Sequence, residues 1–222
     1  MTELKAFYSD QFVLPLPDGH RFPMSKYRLL RERLLADGTL LEEQLYVPDP
    51  IDEAAILRVH TSDYWEAVRD GTLDRKQQRA MGFPWSDFMV ERSRRSVGAT
   101  LQASRCALQA RTASRGTLAA AVNLAGGTHH AFSDRGEGFC VLNDVAIAFR
   151  ALQAHSLVES ALVIDCDVHQ GNGTAQIFQN DPSCFTLSLH GKKNYPFRKE
   201  QSDLDVALPD ECDDEELSLI HI

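Results

Sequence analysis

Asp165, Asp167 and His169 stand at alternate positions directly after the apolar run Ala161 to Ile164, within ALVIDCDVHQGNGTAQIF. Alternate residues of an extended segment share a face, so two carboxylates and an imidazole are expected to converge at the carboxyl end of a buried strand. Left unpaired, that cluster of charge is costly. A divalent cation relieves it, and carboxylate oxygen with imidazole nitrogen is a donor set that Zn²⁺ accepts. The bland alternative is a strand end whose aspartates cap the next helix and whose histidine is merely exposed. The D-x-D-x-H spacing does not by itself decide between the two.

A second constellation lies upstream in AGGTHHAFSDRGEGFC. Gly126 and Gly127 permit a backbone that other residues resist, and they present His129 and His130 side by side on a loop between an expected strand and helix. A lone histidine is commonly a packed, satisfied residue. A tandem pair after Gly-Gly points instead to proton transfer or ligand binding.

The elements that must position these loops alternate along the chain. Strands are expected over 4–8, 44–47, 117–124, 161–164, 184–189 and 204–207. Helices are expected after Ser25, Asp52 and Ser62, from Phe88 towards Ala110, and after Asn143-Asp144. Alternation of this kind implies parallel strands joined by right-handed crossovers, an α/β/α sandwich in one domain. Arg92, Arg94, Arg95 and Arg105 read as the solvated face of the long helix, and the acidic run from Asp210 to Glu216 as the first turn of a last helix.

Composition narrows the classes. The 222 residues are 43% hydrophobic, enough for one sizeable core, and 23 Lys and Arg against 32 Asp and Glu give a formal charge of −9. That balance argues against nucleic-acid binding through a net basic field. No apolar stretch approaches membrane-spanning length and MTELKAFYSD is not a signal peptide, so a cytoplasmic location is the expectation. The 5 cysteines are scattered without a C-x-x-C pair, which suggests neither a disulfide framework nor a thiolate zinc site.

Taken in order, GGTHH, DRGEGFC, Asn143-Asp144 and D-x-D-x-H-Q-G-N-G resemble the zinc-dependent histone deacetylases and their bacterial relatives, with the His-Gln-Gly-Asn-Gly variant most similar to the class IV branch. The resemblance runs from His20–Pro23 to the last strand. It implies the arginase/deacetylase fold and hydrolysis of an acyl amide, in an acyl-lysine peptide or an acylated polyamine. It also implies zinc held by Asp167 and His169, and a monovalent cation, K⁺ in the family, beside Asp165, Asp167, His169, Ser188 and Leu189. By the same resemblance His130 is the general base and acid, His129 its electrostatic neighbour, and Asp165 the carboxylate behind His129. Asn172 stands behind His130, where many relatives have a second Asp. Phe139 and Tyr195 match the aromatics that line the acyl-lysine tunnel.

Two departures accompany the matches. The family's third zinc ligand, an Asp in an N-A-G-x-D loop, and its oxyanion-stabilising Tyr after Gly-Gly are both expected downstream of Leu208 and are not found. The chain is therefore expected to be a single deacetylase domain, 1–222, incomplete at its C-terminus and lacking the family's last two strands. Those strands belong between the one before His129 and the one before Asp165, so both neighbours should expose open edges, and the chain alone should bind zinc weakly and be inactive. Two rivals remain: a catalytically silent binding module of the same fold, and a manganese ureohydrolase, whose dinuclear carboxylate-rich site suits the tandem histidines less well.

Overall fold

The computed structural model describes residues 4–113 and 119–214. The elements are β1 (Lys5–Phe7), α1 (Lys26–Ala36), β2 (Leu45–Tyr46), α2 (Glu53–Ile56), α3 (Ser62–Asp70), α4 (Arg75–Met81), α5 (Asp87–Ala113), β3 (Ala121–Asn123), α6 (Asp144–Ala154), β4 (Ala161–Asp165), α7 (Asn172–Ile177), β5 (Cys184–Gly191) and β6 (Leu204–Leu208). Each expected strand is present, the first three trimmed and the last three one or two residues longer, and the start of the expected segment at Thr117 lies outside the described residues. The acidic run also passes out of them after Asp214.

All strand pairing is parallel, in the orders β2-β1-β3 and β4-β5-β6. Among the described residues β3 and β4 do not pair with each other, so the two three-stranded sheets each present an open edge at the same seam. Helices bridge it. One face of α5 packs Ala99 and Ala103 against Phe7 and Tyr46 of the first sheet. α6 packs Phe149 and Ala146 against Cys184 and Val163 of the second sheet and Phe178 at the end of α7. Between them Val97 and Leu101 of α5 meet Ile147, Ala151 and Leu152 of α6 in the main core, which also takes in Ile56, Trp65, Val68 and Met89.

Gly98 is the reason α5 can lie so low. A Cβ there would meet the Asp49 carbonyl oxygen at 1.9 Å, so any side chain would drive the helix away from the segment whose Ile51 N–H donates to Arg94 O at 3.0 Å. Arg92 departs from expectation. Far from being solvated, it is buried under the Tyr27 ring and donates to Ser9 O at 3.0 Å. The loop before α1 supplies the carbonyls of Ser9 and Phe12, and burial holds this guanidinium below its ordinary pKa.

Nor is β4 buried on both sides. It is an edge strand whose outward residues Leu162 and Ile164 are 60% and 58% exposed, continued across the sheet by Phe185 at 48% and Leu204 at 45%. The register, with Leu162 opposite Phe185 and Leu187 opposite Leu204, places them on one face, and no helix covers that face among the described residues. An apolar face flanked by an unpaired edge recruits other chains. Residues 1–222 expressed alone are accordingly expected to elute as large oligomers in size exclusion with light scattering. Leu162→Lys with Ile164→Lys should return most material to monomer; a monodisperse monomer carrying the native residues would contradict this.

Candidate active site

The tandem-histidine loop is hung from a buried carboxylate. Asp144, the first residue of α6, lies 1% exposed. It accepts from Gly127 N at 3.1 Å, Thr128 N at 2.8 Å and Thr100 Oγ1 at 2.6 Å. Thr128 Oγ1 lies within 2.7 Å of the same carboxylate and in turn accepts from Asp144 N at 3.0 Å. Its neighbour Asn143 caps α6 through Ala146 N at 3.1 Å and holds Ala131 O at 3.0 Å through Nδ2. In the sequence this pair announces a helix start. Its larger role, fastening residues 126–131 to α5 and α6, had no sequence signal beyond the polar pair itself.

His129 and His130 emerge from this loop with ring centroids 4.1 Å apart and opposite surroundings. His129 Nδ1 lies 2.5 Å from Asp165 Oδ2. Burial would depress the pKa of His129, but the hydrogen bond and charge of Asp165 outweigh it and leave the value raised. His130 Nδ1 lies 2.6 Å from Asn172 Oδ1. An amide oxygen accepts, so Nδ1 carries the proton and Nε2 keeps its lone pair. Burial, with the positive neighbour His129, pushes the pKa of His130 down to about 4. One imidazole is thus built to be charged, the other neutral.

Asp165 ends β4, whereas Asp167 and His169 follow in a bend, so they do not converge by strand alternation. Short side-chain turns do the work: Asp167 N donates to Asp165 Oδ1 at 3.0 Å and His169 N to Asp167 Oδ1 at 2.8 Å. Gly171 completes the turn because a Cβ there would lie 2.2 Å from Asp165 Oδ2 and 3.3 Å from His129. His169 Nδ1 lies 2.8 Å from Asp167 Oδ1, an oxygen and a nitrogen facing one another. These two fit zinc in kind and in mutual approach. A catalytic zinc takes about three protein donors, and among the described residues no group of three or more His, Cys, Asp or Glu side chains is gathered as a metal site.

Of the other expected site residues, Ser188 lies beside Asp165 in the β4–β5 register and its Oγ is 3.0 Å from His190 Nδ1; Leu189, next on β5, is buried. Phe139 and Tyr195 share a pocket of about 430 Å³ with His130 and His169. Tyr195 meets the His130 ring edge-on at 5.0 Å and the His169 ring at 5.9 Å, while Phe139 packs on Phe22 and Phe83. Phe139 adopts φ 66°, held there by Phe139 N donating to Met81 O at 2.8 Å. His130, His169, Phe139 and Tyr195 thus share one pocket, His129 and Asn172 join it through their bonds to Asp165 and His130, and Ser188 and Leu189 lie behind it within β5. His20, Arg21 and Arg79, around the mouth of this pocket, carried no sequence signal as site residues.

With that geometry in hand the comparisons define the class. Residues 20–220 match the family model described as the histone deacetylase domain, and the chain belongs to that family. A protein of Picosynechococcus sp. (strain ATCC 27264 / PCC 7002 / PR-6) is 47% identical over 208 residues, 94% of this chain and 67% of its own length. The acetoin utilization protein AcuC of Bacillus subtilis is 31% identical over 80% of this chain and 46% of its own. Among solved structures, a histone deacetylase homologue from Aquifex aeolicus superposes with a TM-score of 0.77 at 24% identity, over 98% of this chain and 62% of that one. A homologue in complex with SAHA gives 0.72 at 25% identity, over 93% and 59%. The chain thus spans between about half and two thirds of the length of these relatives. No helix among the described residues is long and apolar enough to cross a membrane.

His60 buttresses the site from behind. Its Nε2 accepts from Asn143 N at 3.0 Å, and burial drives its pKa down to about 4, against weaker upward pulls from the Ser133 and Phe132 carbonyls, neither of which makes a well-aligned hydrogen bond to Nδ1. A histidine kept neutral in the fold and free to protonate when unfolded costs stability as pH falls: the stability is whole above about 6.5 and is lost progressively down to about 4. The full difference is on the order of 3 kcal/mol. In the Leu162→Lys, Ile164→Lys background, His60→Gln should be less stable at neutral pH yet lose markedly less stability than its parent between pH 7 and 4.5 in urea titrations. Parallel losses would rule this role out.

Proposed function

We propose that this chain carries the proton-handling residues and two of the metal donors of a zinc-dependent deacetylase acting on an acyl amide, as acyl-lysine in a protein or as an acylated polyamine. The observation that carries the reading is the unequal pair of histidines. His129, on a carboxylate, is poised to be cationic, and His130, on an amide oxygen, presents a free Nε2. Asp167 and His169 would hold the zinc, next to these rings. Zinc bound there supplies Lewis acidity, polarising the amide carbonyl and lowering the pKa of a water to about 7. The third protein donor and the oxyanion-stabilising hydroxyl that family resemblance implies are not among the described residues.

His130 Nε2 takes the proton from the attacking water and returns it to the leaving amine, while Nδ1–H stays on Asn172. Cationic His129 stabilises the negative charge that develops on the substrate oxygen, and Asp165 keeps that cation in place. Phe139 and Tyr195 hold an unbranched alkyl chain between their rings and limit water around it. Asp165, Ser188 and Leu189 stand where a monovalent cation such as K⁺ would brace the turn bearing Asp167 and His169. A ureohydrolase is disfavoured, since its dinuclear metal site calls for a carboxylate-rich donor set, whereas two imidazoles beside a single D-x-D-x-H suit one zinc.

The test uses a chimera that supplies, from the Picosynechococcus relative, the part not matched by this chain. His130→Ala there should lower kcat for an acetyl-lysine peptide by at least about 10²-fold while zinc content stays at the parent's level. Loss of zinc with the remaining enzyme as active as the parent would reassign the residue as a ligand. Asn172→Asp should move the acidic limb of the pH–kcat profile to higher pH, because a carboxylate favours the protonated imidazole and so raises the low pKa of His130. An unmoved limb would remove Asn172 from the account of the base.

A further inference from the structure

The mouth of the tunnel is cationic, on a chain whose formal charge is −9. His130 and His169 line the inner pocket. Arg21, Arg79, Gly82 and Phe139 line both that pocket and an outer one of about 520 Å³, and Arg75 lines the outer one alone. Neither pocket has an aspartate or glutamate in its wall. The three guanidiniums are exposed and make no ion pair or hydrogen bond among the described residues. Asp74, next to Arg75, is turned away to cap α4 through Gln77 N at 2.8 Å, and Asp18, three residues before Arg21, is exposed and outside the wall of either pocket.

The arrangement is held by the fold. His20 Nε2 lies 3.0 Å from Gly82 O, so it binds the end of α4, and its ring stacks on Phe83 and meets Phe139, which brings Arg21 beside Arg79. Gly82 adopts φ 88°, and a Cβ there would lie 2.8 Å from the Phe139 ring, so the helix end and the tunnel wall are in direct contact. Arg75 and Arg79 are four residues apart on α4, a like-charge spacing that disfavours the helix, although Arg79 in the last turn also meets its negative end.

We infer that this rim selects the substrate: an acyl-lysine in a protein segment that carries aspartate or glutamate beside the modified lysine, rather than a basic segment or an acylated polyamine. The inference rests on the deacetylase reading above. Because the guanidiniums stand outside the histidines, they meet what flanks the lysine and not the acyl group. Planar guanidinium forks pair bidentately with carboxylates, whereas a polyamine brings further ammonium groups to the same rim. The pairs are exposed, so each contributes a few-fold and their sum sets preference and on-rate more than absolute affinity.

Fluorescence anisotropy of the monomeric Leu162→Lys, Ile164→Lys protein at low ionic strength separates the cases with three labelled peptides: acetyl-lysine flanked by Asp and Glu, acetyl-lysine flanked by Lys and Arg, and unmodified lysine flanked by Asp and Glu. The acidic acetyl-lysine peptide should bind at least about tenfold more tightly than the basic one. The preference should shrink with added salt and disappear in Arg21→Ser with Arg79→Ser, whose circular dichroism should match the parent's, and N-acetylspermidine should compete poorly. Equal affinity for acidic and basic flanks, a preference that survives the double substitution, or no binding of any peptide would overturn the inference. Failure of the deacetylase reading looks different: acetylated and unmodified acidic peptides would bind alike.

Discussion

One carboxylate, Asp144, holds the two halves of the molecule in register. No strand of the first sheet pairs with one of the second among the described residues, so their relative position depends on α5 packing against α6. At the top of that packing Asp144 of α6 accepts from Thr100 of α5 and from the backbone of residues 127 and 128. A buried carboxylate is tolerable only when donors surround it, and here those donors are the loop that carries both histidines. The packing requirement and the catalytic geometry are met by the same bonds.

From that anchor the chemistry separates two residues of the same type. The rings of His129 and His130 sit 4.1 Å apart and share most of their surroundings, yet one faces Asp165 and the other Asn172. Two cations at that distance would repel, so raising one pKa helps to lower the other. One partner, Asp165, ends β4 and the other, Asn172, lies within the His-Gln-Gly-Asn-Gly turn, whose Gly171 lets the strand end and the loop touch.

Local signatures made the strands, the tandem histidines and the D-x-D-x-H residues legible in the sequence, as short apolar runs between turn residues and ligand-type side chains at fixed spacings, whereas Asn172, Ser188, Leu189, Phe139 and Tyr195 came from the family resemblance. The open edges at β3 and β4 followed from topology. What escaped was long-range. Arg92 reads as solvated because its partners, Ser9 and Phe12 carbonyls, lie some eighty residues upstream. Asp167 and His169 are aligned by Asx-type turns and not by strand alternation. Gly98 looks like a helix defect until the 49–51 segment is laid across it, and the arginines at the pocket rim come from two segments more than fifty residues apart that His20, Phe22, Gly82 and Phe83 bring together.

The central claim is the division of charge between the two histidines, and their ring nitrogens report it directly. In ¹⁵N-histidine-labelled Leu162→Lys, Ile164→Lys protein without added metal, long-range ¹H–¹⁵N spectra across a pH titration give the tautomer and charge of each ring. The expected result is His129 still protonated above the ordinary histidine range, with His130 neutral, as the Nδ1–H tautomer, down to about pH 4. Both rings titrating together near the ordinary value, or His130 carrying its proton on Nε2, would contradict it.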